Sequence, residues 1–144
     1  MSNAFNDKGE NMTSTRQDND REHSRIMREL AEQFRPVLES SPMGVYLYLD
    51  DTHKICNEHL AKMFGVSAAE WVKTGSFLEA FVDPRDQKLF AGNYSHHIAQ
   101  LTHPITFKFL ARRKDGTTFL AETDMIPISW HGMPVAYHFV REAR

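Results

Sequence analysis

Histidine is the residue type in this sequence that can take part in the widest range of chemistry, and three of the eight histidines lie close together. His96 and His97 are neighbours, and His103 follows them. Adjacent residues on a helix point about 100° apart, so this pair cannot readily bind one metal ion. Structural zinc sites also usually combine cysteine with histidine at short spacings. We therefore predict no metal site, and we keep the imidazole of His97 as a candidate general base.

The remaining reactive side chains do not form a catalytic constellation. Glu122 and Asp124 share one face of a strand, but that face is the less apolar one, so we predict solvated surface charge rather than acid–base catalysis. The single cysteine, Cys56, cannot form an internal disulfide, and we expect it to be a small buried apolar residue. The sequence contains no glycine-rich phosphate loop, nucleophile elbow or metalloprotease helix.

The charge balance argues against two classes of partner. The chain has 17 basic and 19 acidic residues and a formal net charge of −2. It therefore lacks the positive excess that binds nucleic acid or anionic lipid. No apolar run approaches the roughly 20 residues of a membrane span, and no signal-peptide pattern is present. We expect a cytoplasmic protein with no nucleic acid and no membrane among its partners.

Apolar residues are distributed unevenly along the 144 residues. Only four of the first 25 residues are apolar, so residues 1–23 are predicted to be a disordered tail. Apolar residues then recur at spacings of three and four, which predicts an amphipathic helix over residues 24–35 that Pro36 ends. So short a helix is unstable alone in water, and we expect its stripe to dock on a sheet or on a partner chain.

Residues 36–142 are predicted to form one α+β domain. Asn57 and Ser67 are helix-capping residues, and the longest helix runs from Asp83-Pro84 to about Gln100. Asp115-Gly116 predicts a type I′ hairpin turn. The predicted strands are Val45–Leu49, Lys54–Cys56, Ile105–Arg112, Thr117–Ile128 and Met133–Arg141. This order predicts a five-stranded antiparallel sheet with helices on one face, plus the N-terminal amphipathic helix.

One face of the last three strands is predicted to form the core. Its residues are Phe107, Phe109, Ala111, Phe119, Ala121, Thr123, Val135, Tyr137 and Phe139. On the long helix, Phe90, Tyr94 and His97 follow one another at helical spacing, so His97 is predicted to point inward. The opposite face of the sheet is mixed and is predicted to receive the N-terminal helix.

Five segments, in order, resemble the PAS family of sensory domains. They are Phe34–Val45, Ile55–Gly65 with its capping asparagine, Val82–Asp86, Arg112–Thr117 and Phe139–Glu142. The resemblance implies a PAS-like fold over about Phe34 to Glu142. It also implies a non-enzymatic sensory module of a signal-transduction protein, such as a two-component sensor kinase. Such a module binds a small ligand or homodimerises, and passes a shift to an effector domain or partner protein.

The sequence departs from the PAS pattern at its exit. An aspartate and a threonine usually mark the linker to the effector, whereas Glu142 and Arg144 stand at those places. We expect either a fragment of a larger sensor or a single-domain protein that signals by association.

The resemblance names no cofactor for this chain. Light-sensing flavin members place a reactive cysteine directly after the capping asparagine, whereas Cys56 precedes Asn57, so thiol–flavin photochemistry is not expected. Haem members take their iron ligand from a histidine on the long helix. That histidine aligns nearer Phe90 or Ala91, about one and a half turns before His97, which disfavours haem.

The predicted binding site is a small pocket between the long helix and the sheet. Its predicted lining residues are Leu47, Leu60, Met63, Phe64, Phe77, Tyr94, His97, Phe107, Phe119 and Tyr137. A homodimer is predicted through the N-terminal helix and the open sheet face. The alternative function is a small stand-alone enzyme or carrier that holds an apolar molecule in the same cup, with His97 as base and Tyr94 as its partner.

Overall fold

The computed structural model describes the backbone of residues 2–143 and the side chains of residues 16–143. The helices are α1 (Ser2–Gln33), α2 (Arg35–Ser40), α3 (Glu58–Met63), α4 (Ala68–Lys73), α5 (Phe77–Phe81) and α6 (Gln87–Asn93). A 3₁₀ turn at Pro84–Asp86 precedes α6, and a π-helical segment at Tyr94–Ile98 follows it. The strands are β1 (Gly44–Asp50), β2 (His53–Cys56), β3 (Ile105–Arg112), β4 (Thr118–Trp130) and β5 (Met133–Glu142).

The strands form one antiparallel sheet in the order β2-β1-β5-β4-β3. The helices from α3 to the π-helical segment pack on one face, around a core that includes Phe64, Phe90 and Phe109. The N-terminal helix α1 packs on the other face against Leu47 and Val135. The predicted fold class, a five-stranded antiparallel sheet with helices and an N-terminal helix, is confirmed.

Local hydrogen bonds fix the start of the helical face. The Asn57 side chain accepts a bond from Leu60 N at 3.0 Å, as an N-cap does, and also accepts from Val45 N at 3.0 Å. It thereby joins the start of α3 to β1. A Cβ atom at Gly44 would lie 3.1 Å from Leu60 Cα, a tighter contact than usual, so a larger residue there would push α3 away from β1 by a few tenths of an ångström. Ser67 and Glu70 form a capping box at α4.

The β3–β4 turn differs from the predicted type I′ turn. Gly116 has φ +90°, but Asp115 does not have a positive φ. The Asp115 carboxylate instead accepts a bond from Thr117 N at 2.9 Å, and Arg113 N donates to Thr117 O at 2.8 Å. The aspartate side chain therefore stabilises a longer loop in which only the glycine needs the left-handed conformation.

The predicted core face is wrong for β5. Thr123 pairs with Val140 and Met125 pairs with His138, so Val140 and His138 face the helices. Val135, Tyr137 and Phe139 alternate with them and face the side of α1. The reason is that β5 carries apolar residues on both faces, so its hydrophobic pattern does not select one of the two registers.

Helix α1 begins at Ser2, earlier in the chain than the predicted start at Ser24. Ile26 and Leu30 are completely buried against the sheet, as the predicted stripe requires. N-terminal to them, Asp20 and His23 bond to the β1–β2 hairpin, which holds the turn of α1 directly before Ser24. The predicted disordered tail was residues 1–23; residues 16–23 are helical, and the side chains of residues 1–15 lie outside those described. Pro36 separates α1 from α2, whose first turn contains it.

The helical residues after α6 do not follow the predicted spacing. Ala99 N donates to Tyr94 O at 3.2 Å, five residues back, which is the bond of a π-helix. The wider turn places Ile98 at the core, where it is completely buried, and turns His97 outward. The prediction that His97 points inward is therefore wrong.

No helix in the described part of the chain is long and apolar enough to cross a membrane.

Candidate functional site

A cavity of about 130 Å³ lies between the sheet and the helices that cover it. Residues from β1, β5, α5, α6 and the π-helical segment meet there. They are Tyr46, Tyr48, Asp51, Ser76, Phe77, Leu78, Phe90, Ala91, Tyr94, Ser95 and His138. An engineered apolar cavity of roughly 150 Å³ in another protein holds one benzene molecule. The cavity therefore has room for a molecule of about that size.

Two polar side chains of the cavity wall lack hydrogen-bond partners. The rings of Tyr46 and His138 stack with centroids 3.9 Å apart, because the two residues pair across β1 and β5. Both side chains are about 1% exposed. Within the described protein, neither the Tyr46 hydroxyl nor either ring nitrogen of His138 has a partner. An unpartnered buried polar group of this kind costs about 1–3 kcal/mol of stability, so the pair destabilises the protein unless a molecule bound there supplies hydrogen-bond partners.

Burial keeps these groups uncharged. Burial lowers the pKa of His138 to about 3, so its imidazole is neutral at pH 7. Burial also raises the pKa of Tyr46 well above its usual value. Both groups can therefore donate and accept hydrogen bonds as neutral species.

The other end of the cavity is tied to the β1–β2 hairpin. The Tyr48 hydroxyl donates to the Asp51 carboxylate at 2.7 Å, which also accepts a bond from Phe77 N at 3.3 Å. Burial, and then the bond to Asp51, raise the pKa of Tyr48. Lys54 is 2% exposed, and its ammonium donates to the backbone carbonyls of Asp51, Thr74 and Gly75. The hairpin and the start of α5 therefore hold each other in place.

A second group of titratable side chains joins α1 to the same hairpin. His23 Nδ1 lies 2.9 Å from Asp50 Oδ2, and His53 Nδ1 lies 2.7 Å from Asp50 Oδ1. His53 Nε2 lies 2.8 Å from Asp20 Oδ1. Burial alone would raise the pKa of Asp50, but bonds from His53, His23 and Thr52 outweigh burial and lower it. We call these four residues, Asp20, His23, Asp50 and His53, the hairpin cluster.

The predicted lining residues fall into four groups. Phe77 and Tyr94 line the cavity. Leu47 and Tyr137 lie on the opposite face of the sheet against α1, a correction that follows from the register of β1 and β5. His97 lies outside the cavity, with Nδ1 3.1 Å from Thr102 Oγ1, so the alternative function lacks its proposed base. The remaining five belong to the core around the cavity without lining it: Leu60, Met63, Phe64, Phe107 and Phe119.

Sequence reasoning missed the two polar side chains, Tyr46 and His138, and the whole hairpin cluster. Tyr46 and His138 pair across two neighbouring strands, so the alternation of side chains along those strands was the available signal. Asp20 and His23 lie in the segment predicted to be disordered. For them no signal was available, because their contacts depend on the docking of α1.

The other reactive residues have structural roles. Burial raises the pKa of the Cys56 thiol to about 12, so it is not a thiolate at neutral pH. Glu122 and Asp124 both bond to Arg141, at 2.8 and 3.0 Å. These carboxylates neutralise a neighbouring cation, as expected for surface charge.

Comparison with known proteins gives a consistent result. The sequence profile of the PAS fold matches residues 53–141. A PAS domain from a two-component sensor histidine kinase is 22% identical with a TM-score of 0.60, and the alignment covers 81% of this chain and 99% of that one. A PAS domain from Colwellia psychrerythraea is 15% identical with a TM-score of 0.64, covering 79% and 97%.

A third structure is the PAS domain, in complex with ethanol, of a LuxR-family transcriptional regulator from Burkholderia thailandensis. It is 17% identical with a TM-score of 0.57, covering 74% of this chain and 94% of that one. No curated protein matches the sequence. Because the profile match spans more than half of its residues, this chain belongs to the PAS fold family.

Proposed function

We propose that this chain is a sensory domain in signal transduction, and that it binds a small neutral molecule in the cavity. The unpartnered Tyr46 hydroxyl and His138 imidazole carry the proposal. A ligand that hydrogen-bonds to them relieves the cost of leaving them unpaired, and a ligand without a polar group does not.

The cavity wall limits the chemistry of the ligand. Asp51 is the charged residue among the described lining residues, and His138 is neutral at pH 7. An anionic ligand would be repelled by Asp51 and would meet no compensating cation. Phe77, Leu78 and Phe90 supply an apolar wall. The best ligand is therefore about the size of one ring, apolar on one side, and carries one hydroxyl or amide group.

The size of the cavity separates this proposal from two cofactors of the PAS family. Sites for drug-sized molecules occupy roughly 300–1,000 Å³. A cavity of about 130 Å³ accepts neither a haem nor a flavin. In the complex of the Burkholderia thailandensis PAS domain, the same fold is found with ethanol, a small neutral alcohol. This supports a ligand of the same class here.

The signal is proposed to leave through the β1–β2 hairpin. Asp51 borders the cavity, and the adjacent Asp50 bonds to His23 of α1. A ligand that displaces Tyr48 or Asp51 changes the position of Asp50 and with it the docking of α1. An attached effector or a partner protein would read that change.

The test is calorimetric titration of the ligand-free protein with phenol, which has one ring and one hydroxyl, and with benzoate as its anionic counterpart. We expect phenol to bind and benzoate not to bind. Ala91→Leu fills the cavity and should abolish phenol binding, whereas Ala99→Leu, at an exposed position nearby, should leave it unchanged. Equal binding of phenol by Ala91→Leu would refute the proposed site.

Homodimerisation is the second part of the proposal. The stripe of α1, with Ile26 and Leu30, is buried on the sheet of its own chain, so a dimer through this stripe requires the exchange of α1 between chains. Light scattering should then give a dimer mass for the intact chain and a monomer mass for Leu30→Glu. A dimer mass for both would exclude the helix as the interface. A cytoplasmic location and a non-enzymatic role stay predictions of the sequence.

A further inference from the structure

We propose that His23, His53 and Asp50 of the hairpin cluster bind one divalent transition-metal ion, of which zinc fits best. The site joins α1 to the β1–β2 hairpin. It lies outside the cavity and does not depend on the proposed ligand.

The distances suit a shared ion. One ligand atom from each of His23, Asp50 and His53 lies within 4.8 Å of the other two. Zinc bonds to nitrogen and oxygen are about 2.0–2.2 Å long, which places two ligands of one tetrahedral ion about 3.4 Å apart. The Asp50 oxygens now lie 2.9 Å from His23 Nδ1 and 2.7 Å from His53 Nδ1. Small side-chain rotations therefore admit an ion between groups that already converge.

The surrounding residues orient the ligands as in a metal site. Asp20 Oδ1 lies 2.8 Å from His53 Nε2 and accepts a hydrogen bond from Nε2–H in the tautomer whose Nδ1, directed at Asp50, is free to bind an ion. A carboxylate behind a ligating histidine is the usual arrangement at zinc sites. The Thr52 backbone N–H and hydroxyl both donate to Asp50 Oδ1 at 3.0 Å and fix the carboxylate.

The charge and burial of the cluster also suit a cation. Two carboxylates, Asp20 and Asp50, face His53, whose side chain is only 10% exposed, and the side chain of His23 is 21% exposed. A divalent ion in this partly buried position balances the charge of both carboxylates. Imidazole with carboxylate is a donor set that zinc accepts.

A second histidine group provides the matched control. His97 lies between His96 and His103, with ring centroids 4.8 Å from each. Among the described residues, only the hairpin cluster brings three suitable ligand atoms within 4.8 Å of one another. The control therefore has more histidines but lacks the convergent carboxylate.

The experiment is calorimetric titration of the intact chain with zinc chloride at pH 7.5. We expect one tight site per chain, weakened about 100-fold or more by His23→Gln and about 10–100-fold by Asp20→Asn. The combined change His96→Gln, His97→Gln and His103→Gln should leave that site unchanged. Unchanged affinity in His23→Gln, or loss of the site in the triple variant, would overturn the proposal.

His23→Gln is preferred to a change at His53 because His23 is the more exposed of the two, and circular dichroism verifies its fold. A second readout uses cobalt(II), whose visible absorption bands report nitrogen and oxygen ligation in a site of low coordination number. The intact chain should show these bands and His23→Gln should not. Equal bands in both proteins would also overturn the proposal.

Discussion

Replacing Tyr46 with phenylalanine removes one hydroxyl from the cavity wall and keeps the ring that stacks on His138. The side chain is 1% exposed, and its hydroxyl has no partner in the described protein. Leaving such a group unpaired costs about 1–3 kcal/mol. Tyr46→Phe should therefore raise the free energy of unfolding of the ligand-free protein by about 1 kcal/mol, which is unusual for a substitution at a buried site.

Tyr48→Phe is the matched control, because it makes the same chemical change at the neighbouring position on the same face of β1. The Tyr48 hydroxyl donates to the Asp51 carboxylate at 2.7 Å. A hydrogen bond to a charged group contributes about 1.5–3 kcal/mol, and partial exposure of Asp51 favours the lower value. We expect Tyr48→Phe to lower the free energy of unfolding by about 1.5 kcal/mol.

The assay is urea unfolding of both variants after dialysis under denaturing conditions and refolding, so that any bound molecule is removed. The two substitutions should change the free energy of unfolding in opposite directions. In saturating phenol the gain in stability from Tyr46→Phe should disappear, because this variant loses a hydrogen bond to the ligand. If Tyr46→Phe destabilises the ligand-free protein as much as Tyr48→Phe does, the Tyr46 hydroxyl has a partner and the argument for the ligand fails.

Three further predictions concern stability. Leu30→Ala should cost about 2–5 kcal/mol by urea unfolding, because Leu30 of α1 is completely buried against the sheet. Leu89→Ala, at a side chain 48% exposed, should stay within about 0.5 kcal/mol, and similar losses for both would contradict the docking of α1. Burial lowers the pKa of His138 to about 3, so the unfolded chain binds a proton at this residue more readily than the folded chain does. The free energy of unfolding should therefore fall by up to about 1.4 kcal/mol per pH unit from about pH 6.5 down to pH 3. Above that range His138 should have no effect on stability. His138→Gln should lack this part of the slope, and equal slopes would show that His138 is not buried as a neutral group. Lys54→Met leaves partly buried carbonyls unpaired and should cost about 1–3 kcal/mol, whereas Lys73→Met, at an exposed position, should cost less than about 0.5 kcal/mol. Equal effects would exclude the anchoring role of Lys54.

The parts of the fold that depend on local chemistry could be predicted from the sequence. Asn57 and Ser67 cap helices because their side chains accept bonds from amides three residues away. The strands were recognisable from runs of branched and aromatic residues. Order and spacing were enough to identify the PAS fold, because each of these signals lies within a few residues of its effect.

Three features could not be predicted because they depend on contacts distant in sequence. The face of β5 is set by its pairing with β1 and β4, and both of its faces are apolar. The π-helical segment after α6 moves His97 out of the core, although its spacing from Phe90 fits an α-helix. The turn of α1 directly before Ser24 is held by Asp20 and His23, whose partners lie 33 and 27 residues away.

The predicted pocket lay between the long helix and the sheet, where the structure has a cavity, but its polar groups were not identified. The errors at Leu47 and Tyr137 had one origin, because a one-residue difference in register exchanges every side chain between the two faces of a strand. That difference replaced His138 by Tyr137 and Tyr46 by Leu47 in the predicted site. Phe77 and Tyr94 lie on the helical side, are independent of the sheet register, and line the cavity.

The central claim is that a small neutral molecule binds to the unpartnered groups of the cavity. Nuclear magnetic resonance of the His138 ring, followed while phenol is added to the ligand-free protein, tests it most directly. The claim predicts saturable shifts of the His138 ring nitrogens that are absent in Ala91→Leu and unchanged in Ala99→Leu. Binding of phenol that leaves the His138 resonances unmoved, or no binding at all, would contradict it.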